Sequence, residues 1–280
     1  MRPRRASIRA VACAAALLAL VSGSTVGSGA ADRAAPDRVV AIGDLHGDAD
    51  ALLALLVRTG LLDEARRWTG GKATLVQTGD YLDRGTQVRQ VLDLLMSLEG
   101  RAAASGGRVV VLIGNHEVMN VLGAVRDVSP DVYASFADAG SEARRAHAYA
   151  EANAVADQRR AVLAKASPDI KVPPVYEATA REAWMAAHPP GMLEYMDAFG
   201  PKGAYGQWLR RRPAATRVGD TVFVHGGLDP EVAPKKLEGI TDQAQKEIQR
   251  WDRMRAYMVD RGIAAASSTY FELVDAGRTE

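Results

Sequence analysis

Between Arg38 and Ile113 the hydrophobic positions follow two alternating rhythms. The runs "RVVAI" (38–42), "ATLVQT" (73–78) and "RVVVLI" (108–113) are short, apolar and rich in β-branched residues, as buried strands are. Between them, "ADALLALLVRTGLL" (49–62) and "TQVRQVLDLLMSLE" (86–99) repeat apolar residues on one helical face. Asp48 or Asp50 is the expected cap of the first helix and Thr86 of the second. The order strand–helix–strand–helix–strand predicts parallel strands joined by right-handed crossovers.

The rhythm then changes. Residues 131–166, rich in Ala, Arg, Glu and Asp, read as helix. The linker "SPDIKVPP" (167–174) leads to another helix, "VYEATAREAWMAA" (175–187). The block at about 125–212 therefore reads as a helical cap insertion. "DTVFVHGG" resumes sheet at Thr221, and "EGITDQAQKEIQRWDRMRAYMV" (238–259) is again helical.

The polar residues at the strand ends carry the chemistry. Three strands run into glycine and then a polar cluster: "GDLHGD" (43–48), "GDYLDRG" (79–85) and "GNHE" (114–117). A fourth ends in "HGG" (225–227). Parallel strands bring their carboxyl ends to one edge of the sheet, where open α/β folds bind ligands. Asp44, His46, Asp80, Asp83, Arg84, Asn115, His116 and His225 are thus expected in one crevice.

That set suits a pair of cations. Asp44 and His46, two apart, can reach one cation together. Asp80 has two oxygens and can bridge two. Asn115 and His225 offer an amide oxygen and an imidazole nitrogen to the second. Two such cations clamp a phosphate and activate a water. Arg84 supplies a planar fork for phosphate oxygens. His116 is placed to protonate a leaving group, with Asp83 to orient its ring. Glu117 reads as a support of the loop rather than a ligand. Arg126 is a candidate second substrate contact. Ordinary strand-end turn residues are the plainer reading of the whole set, but turn chemistry does not ask for histidine.

The four motifs resemble those of the calcineurin-like metallophosphoesterases of the phosphoprotein phosphatase type, and stand here intact and in order. The continuation "VMNVLGAVRDV" (118–128) is similar to the bacterial, Shewanella-like branch. The resemblance implies an αββα sandwich of two mixed sheets over about 31–280. It assigns Asp44, His46 and Asp80 to one metal, and Asp80, Asn115 and His225 to the other. Arg84 would hold phosphate, and His116 paired with Asp83 would be the proton donor. The implied metals are Mn or Fe, with Zn possible. The implied substrate is a phosphoprotein. A small phosphoester such as a nucleotide or sugar phosphate is the alternative, as is a non-catalytic phosphate-binding homologue.

One departure stands out. The resembled family completes its second metal site with a histidine after HGG, and no histidine follows His225. Three accounts stay open: a truncated chain lacking part of the second sheet, a working site with another group in that place, or a degraded enzyme. His188, in "AAHPPG" (186–191), is a candidate substitute ligand, though a histidine at a helix end is also simply favourable. His147 reads as a solvated helix residue. Tyr205 and Trp208 are candidate cleft walls or core.

Composition adds limits. Of 280 residues, 48% are hydrophobic and 25% charged, as in globular chains. Arg2, Arg4, Arg5 and Arg9 precede an apolar stretch and then "SGSTVGSGA" (22–30), the pattern of a signal peptide over 1–30. The apolar stretch is about 12 residues, too short to span a bilayer, so no stable membrane insertion is expected after cleavage. Export to the periplasm or the extracellular space is expected, by the Sec route or a twin-arginine route. Cleavage removes four Arg and no acid, taking formal charge from +1 to 1 − 4 = −3, with no basic excess for nucleic acid. The only cysteine, Cys13, lies in the signal, so thiolate metal ligands are excluded from the mature chain.

Overall fold

The computed structural model describes residues 38–166, 177–230 and 236–278. The signal segment and the whole linker at 167–174 lie outside the described residues. Strands β1 (Val39–Ile42), β2 (Thr74–Gln77) and β3 (Arg108–Val111) form a parallel sheet in the order β1-β2-β3. The register pairs Ile42 with Gln77 and Gln77 with Val111, so the three carboxyl ends are level. That alignment carries the polar clusters to one edge. Helices α1 (Ala49–Arg58) and α2 (Val88–Ala104) are the expected crossovers.

Period-two alternation decides which side chains go to which face. Leu75, Val109, Val111 and Ile113 join the large core that holds α1 and α2 through Leu52, Leu56, Val91, Leu92 and Leu95. Val76, Val110 and Leu112 face the other way, against Val218 and Phe223. Those last two belong to β4 (Ala215–Val218) and β5 (Thr221–Val224), an antiparallel hairpin. Helices and hairpin thus sandwich the first sheet. Among the described residues each sheet is of one kind, one wholly parallel and one antiparallel.

Two caps differ in detail from expectation. Asp48 caps α1, accepting from the N–H of Ala51 at 2.8 Å. Thr86 does not cap α2, which starts at Val88 after Gln87. The Gln87 side chain instead accepts from the N–H groups of Ala49 and Asp50 at 3.0 and 3.3 Å, tying the starts of both helices together.

After the sheet come α3 (Asn115–Leu122), α4 (Pro130–Phe136), α5 (Ser141–Ala166), α6 (Glu177–Ala187), α7 (Met192–Phe199) and α8 (Ala204–Leu209). Helices α4, α7 and α8 put Val132, Tyr133, Tyr195, Phe199, Trp208 and Leu209 into the main core. Trp208 is therefore core, not cleft wall, with its Nε1 donating to Glu99. Tyr205 packs against the same core and donates its hydroxyl to Asp93. Helix α9 (Leu237–Asp260) leans on the core through Ile248, and α10 (Tyr270–Gly277) follows. Arg210 joins α8 to α9 through two bonds to the Asp252 carboxylate, both 2.9 Å. No helix among the described residues is long and apolar enough to cross a membrane.

Candidate active site

The loops after the three strands are laced by their own backbones. Leu45 and His46 donate to the carbonyl of Asp80 at 2.9 and 3.0 Å, and Gly47 donates to Tyr81 at 3.0 Å. Gly85 donates back to His46 at 2.9 Å. A Cβ at Gly85 would collide with the His46 carbonyl oxygen, so only glycine allows this approach. Four non-glycine residues sit at positive φ here: His46 (45°), Asp80 (55°), Asp83 (65°) and Arg84 (63°). Such backbone strain, roughly 1–3 kcal/mol per residue, survives only where surrounding bonds over-determine it.

Glu117 supplies much of that restraint. Its Oε2 accepts from the N–H groups of Gly114 and Asp80, both 2.8 Å, and its Oε1 from Tyr81 and Leu82, both 3.0 Å. Full burial, together with the nearby Asp80 charge, pushes its pKa up to about 8 against the pull of the backbone donors. The expected support role is thus seen in four bonds. Asp80 also accepts from the N–H of His116 in the first turn of α3, at 3.1 Å.

Asp80 is the centre of the ligand-capable groups. One atom each from His46, Asp80 and His116 lie within 4.8 Å of one another, and so do atoms of Asp44, Asp80 and His225. Both groups share Asp80. Asp44 lies close to both His46 and His225, at 3.8 and 4.0 Å, and His116 stands beside His46. His225 Nε2 is 3.2 Å from Asp80 Oδ1. His46 Nδ1–H donates to the Leu82 carbonyl at 3.0 Å, which leaves the Nε2 lone pair to accept from Arg84.

The Asn115 oxygen tests whether a cation fits. It faces only acceptors, with His225 Nε2 at 2.9 Å and Asp80 Oδ1 and Oδ2 at 3.2 and 3.1 Å. Two arrangements satisfy such a cluster: the amide turns its NH₂ inward, or a cation sits among the acceptors. His225 Nδ1 is buried without a hydrogen-bond partner, so that ring is also under-satisfied. Carboxylates, imidazoles and an amide oxygen suit divalent first-row cations. The residues therefore fit the metals that the resemblance implies.

Beside this cluster lies a second set of contacts. Arg84 reaches His46 Nε2 at 3.0 Å and His116 Nε2 at 3.1 Å. His116 Nδ1 is 2.7 Å from Asp83 Oδ2, the orienting contact that was expected. Because Nε2 faces the Arg84 donor, the proton of the neutral ring sits on Nδ1. Asp83 is fully buried, and burial raises its pKa against the bonds from Asn120 and His116. Exposure is graded across the site: Asp80, Asp83, His116 and Glu117 are buried, while Asp44, Arg84 and Asn115 face solvent.

Other candidates fall elsewhere. Arg126 is exposed and reaches its neighbour Asp127 at 3.6 Å; only the Asp127 carbonyl touches the site, accepting from the N–H of Arg84 at 3.1 Å. His188 stacks on Trp184 at 3.9 Å and sits 3.6 Å from Glu272, away from the ligand groups. His147 is exposed on α5, as expected. Sequence reasoning missed Asn120, whose Nδ2 donates to both Asp83 oxygens at 2.9 Å. Its signal was available: it lies four residues after His116, on the same helical face.

The profile of the calcineurin-like phosphoesterase family matches residues 37–261. Shewanella-like protein phosphatase 2 of Arabidopsis thaliana is 32% identical over 211 residues, covering 75% of this chain and 51% of that protein. Shewanella-like protein phosphatase 1 of Plasmodium berghei is 24% identical over 232 residues, covering 81% of this chain and 50% of that protein. Among solved structures, a cold-active protein-tyrosine phosphatase of a psychrophilic Shewanella species superposes with a TM-score of 0.50 at 25% identity, covering 76% of this chain and 51% of that one. The chain spans about half the length of the curated relatives it matches. With three motifs at the edge of the parallel sheet, the fourth brought to them from the β4–β5 hairpin, and a family match over most of its length, the chain belongs to the calcineurin-like phosphoesterases.

Proposed function

We propose that this chain hydrolyses phosphomonoesters with the help of two divalent cations, and that a phosphoprotein is its substrate. The observation that carries the reading is the pair of ligand-capable groups sharing Asp80, with the Arg84 fork beside them. Asp44, His46, Asp80, Asn115 and His225 would hold the cations, with Mn or Fe preferred and Zn accepted. Cations bound there supply Lewis-acid polarisation of phosphoryl oxygens and a lowered pKa for water. Arg84 binds the phosphate oxygens through its fork. His116 gives a proton from Nε2 to the leaving oxygen, and Asp83 steadies the imidazolium through Nδ1. A phosphoprotein is favoured because the matched relatives bear protein phosphatase names. The cap role expected of the helical block is proposed for α5 and α6 alone, since α4, α7 and α8 belong to the main core. An exported location is proposed from the N-terminal pattern, and N-terminal sequencing of secreted protein tests it.

The test is metal analysis of the purified chain with hydrolysis of an aryl phosphate. Two bound cations per chain and turnover that Asp80→Asn abolishes are expected. Full activity in that variant would sink the mechanism, and binding of no more than one cation would favour a non-catalytic phosphate-binding protein.

A further inference from the structure

Tyr195 lies 75 positions from Asn120, on α7 of the helical block, yet its hydroxyl donates to Asn120 Oδ1 at 2.5 Å. Asn120 Nδ2 then donates to both Asp83 oxygens and to the His116 carbonyl, all at 2.9 Å. Asp83 in turn holds His116 Nδ1. The chain of contacts is continuous and buried from the helical block to the imidazole.

We infer that Tyr195 is a positioning residue for His116, acting through the Asn120 amide and the Asp83 carboxylate. The inference rests on the role of His116 proposed above. A side-chain amide has two orientations of nearly equal shape. The Tyr195 proton selects the one with oxygen toward the phenol. The other would turn the amide oxygen onto the Asp83 carboxylate, acceptor against acceptor. With the amide fixed, its nitrogen pins the carboxylate, and the carboxylate pins the ring.

Tyr195 is equipped for this. Its ring stacks on Phe199 at 4.2 Å and meets Phe136 and Tyr133 edge-on at 5.1 and 5.5 Å, so it has no room to turn. Complete burial pushes the phenol pKa well above its ordinary value, which keeps the donor proton in place. Removing the hydroxyl leaves a buried amide oxygen without a donor and frees the flip.

The test is Tyr195→Phe in the full chain, which keeps the ring and removes one oxygen. A phosphoserine peptide needs a proton on its leaving alkoxide; p-nitrophenolate leaves without one. The expected result is a kcat for the peptide lowered about tenfold, the equivalent of one lost buried hydrogen bond. KM stays within about twofold, and kcat for p-nitrophenyl phosphate changes less than about twofold. The far-downfield proton resonance of His116 Nδ1–H is expected to shift or broaden. In an Asn120→Ala background the Tyr195→Phe effect is expected to vanish, since the link runs through that amide. Equal loss for both esters with an unmoved resonance would overturn the proposal and leave Tyr195 as packing alone. No change in either ester or in the resonance would overturn it as well. If the wild-type chain hydrolyses neither ester, the proposed function fails, and the resonance alone decides the Tyr195 link.

Discussion

Glu117 Oε2 accepts the backbone N–H of Asp80 at 2.8 Å, so the buried Glu117 carboxyl group grips the residue on which both ligand groups converge. The same side chain takes three more N–H groups, from Tyr81, Leu82 and Gly114. Glu117→Gln sets an NH₂ against two of those donors and leaves them buried and unmet, at roughly 1–3 kcal/mol each. Urea unfolding is expected to show a loss of about 2–4 kcal/mol, and metal affinity should fall with it because Asp80 loses its holder. A variant as stable as the parent would show that Glu117 does not restrain the loop.

The same residue predicts a pH slope. Its folded pKa is about 8 against an ordinary 4.5. Between those values the unfolded chain has given up this proton while the folded chain keeps it. Stability then falls as pH rises from about 4.5 and levels off above about 8. Urea midpoints of the metal-free chain across this window should show the fall, and Glu117→Gln should lack the part due to this group. A cation at Asp80 favours the ionised Glu117, so added Mn should shallow the slope. A slope that is the same in parent and variant would refute the assignment.

Gly114 predicts a steric effect without any conformational one. Its φ of −97° is open to every residue. A Cβ there would fall 2.6 Å from the Asp80 nitrogen and against its carboxylate. Gly114→Ala must therefore push Asp80 or the start of α3 aside, at roughly 1–3 kcal/mol. Weaker metal binding at full helix content by circular dichroism is the expected result. Unchanged metal affinity would mean that the loop shifts without disturbing Asp80.

How much of this was legible along the chain divides by range. The parallel sheet was legible because its strands and crossover helices follow local periodicity, and Val76 and Leu75 take opposite faces by alternation alone. The convergence of Asp44 and Asp80 followed from level strand ends, whereas His225 reaches them from β5 of the separate antiparallel hairpin, which the expected parallel arrangement did not foresee. Strand β4 was not legible: "ATRV" alternates weakly and becomes a strand by pairing with β5. Nor was Thr86 seen to lose its cap role, because Gln87 answers to α1, whose start lies nearly forty positions upstream. The positive φ values at His46, Asp80, Asp83 and Arg84 run against residue preference. They exist because Glu117 and the neighbouring carbonyls hold them, a constraint no local pattern encodes. Tyr195 is the extreme case, an aromatic residue that reads as core and also carries a hydroxyl aimed at Asn120.

Arg84 gives the sharpest functional test of the reading. Its two terminal nitrogens reach His46 and His116 at once, at 3.0 and 3.1 Å, which only a planar fork can do. Arg84→Lys keeps the positive charge and replaces the fork with a single point donor. If Arg84 binds phosphate in the ground state and the transition state alike, KM for a phosphoester rises while kcat holds. If the fork grips the phosphoryl oxygens more tightly as charge shifts in the transition state, kcat falls as well. The loss of one charge-assisted bond predicts a drop in kcat/KM of about ten- to a hundredfold, with inorganic phosphate inhibiting more weakly by a similar factor. Stability should change little, since the guanidinium is exposed and the backbone bond from Arg84 to Asp127 survives the substitution. A lysine variant with unaltered kcat/KM and unaltered phosphate inhibition would remove Arg84 from the substrate site and leave it a partner of the two histidines.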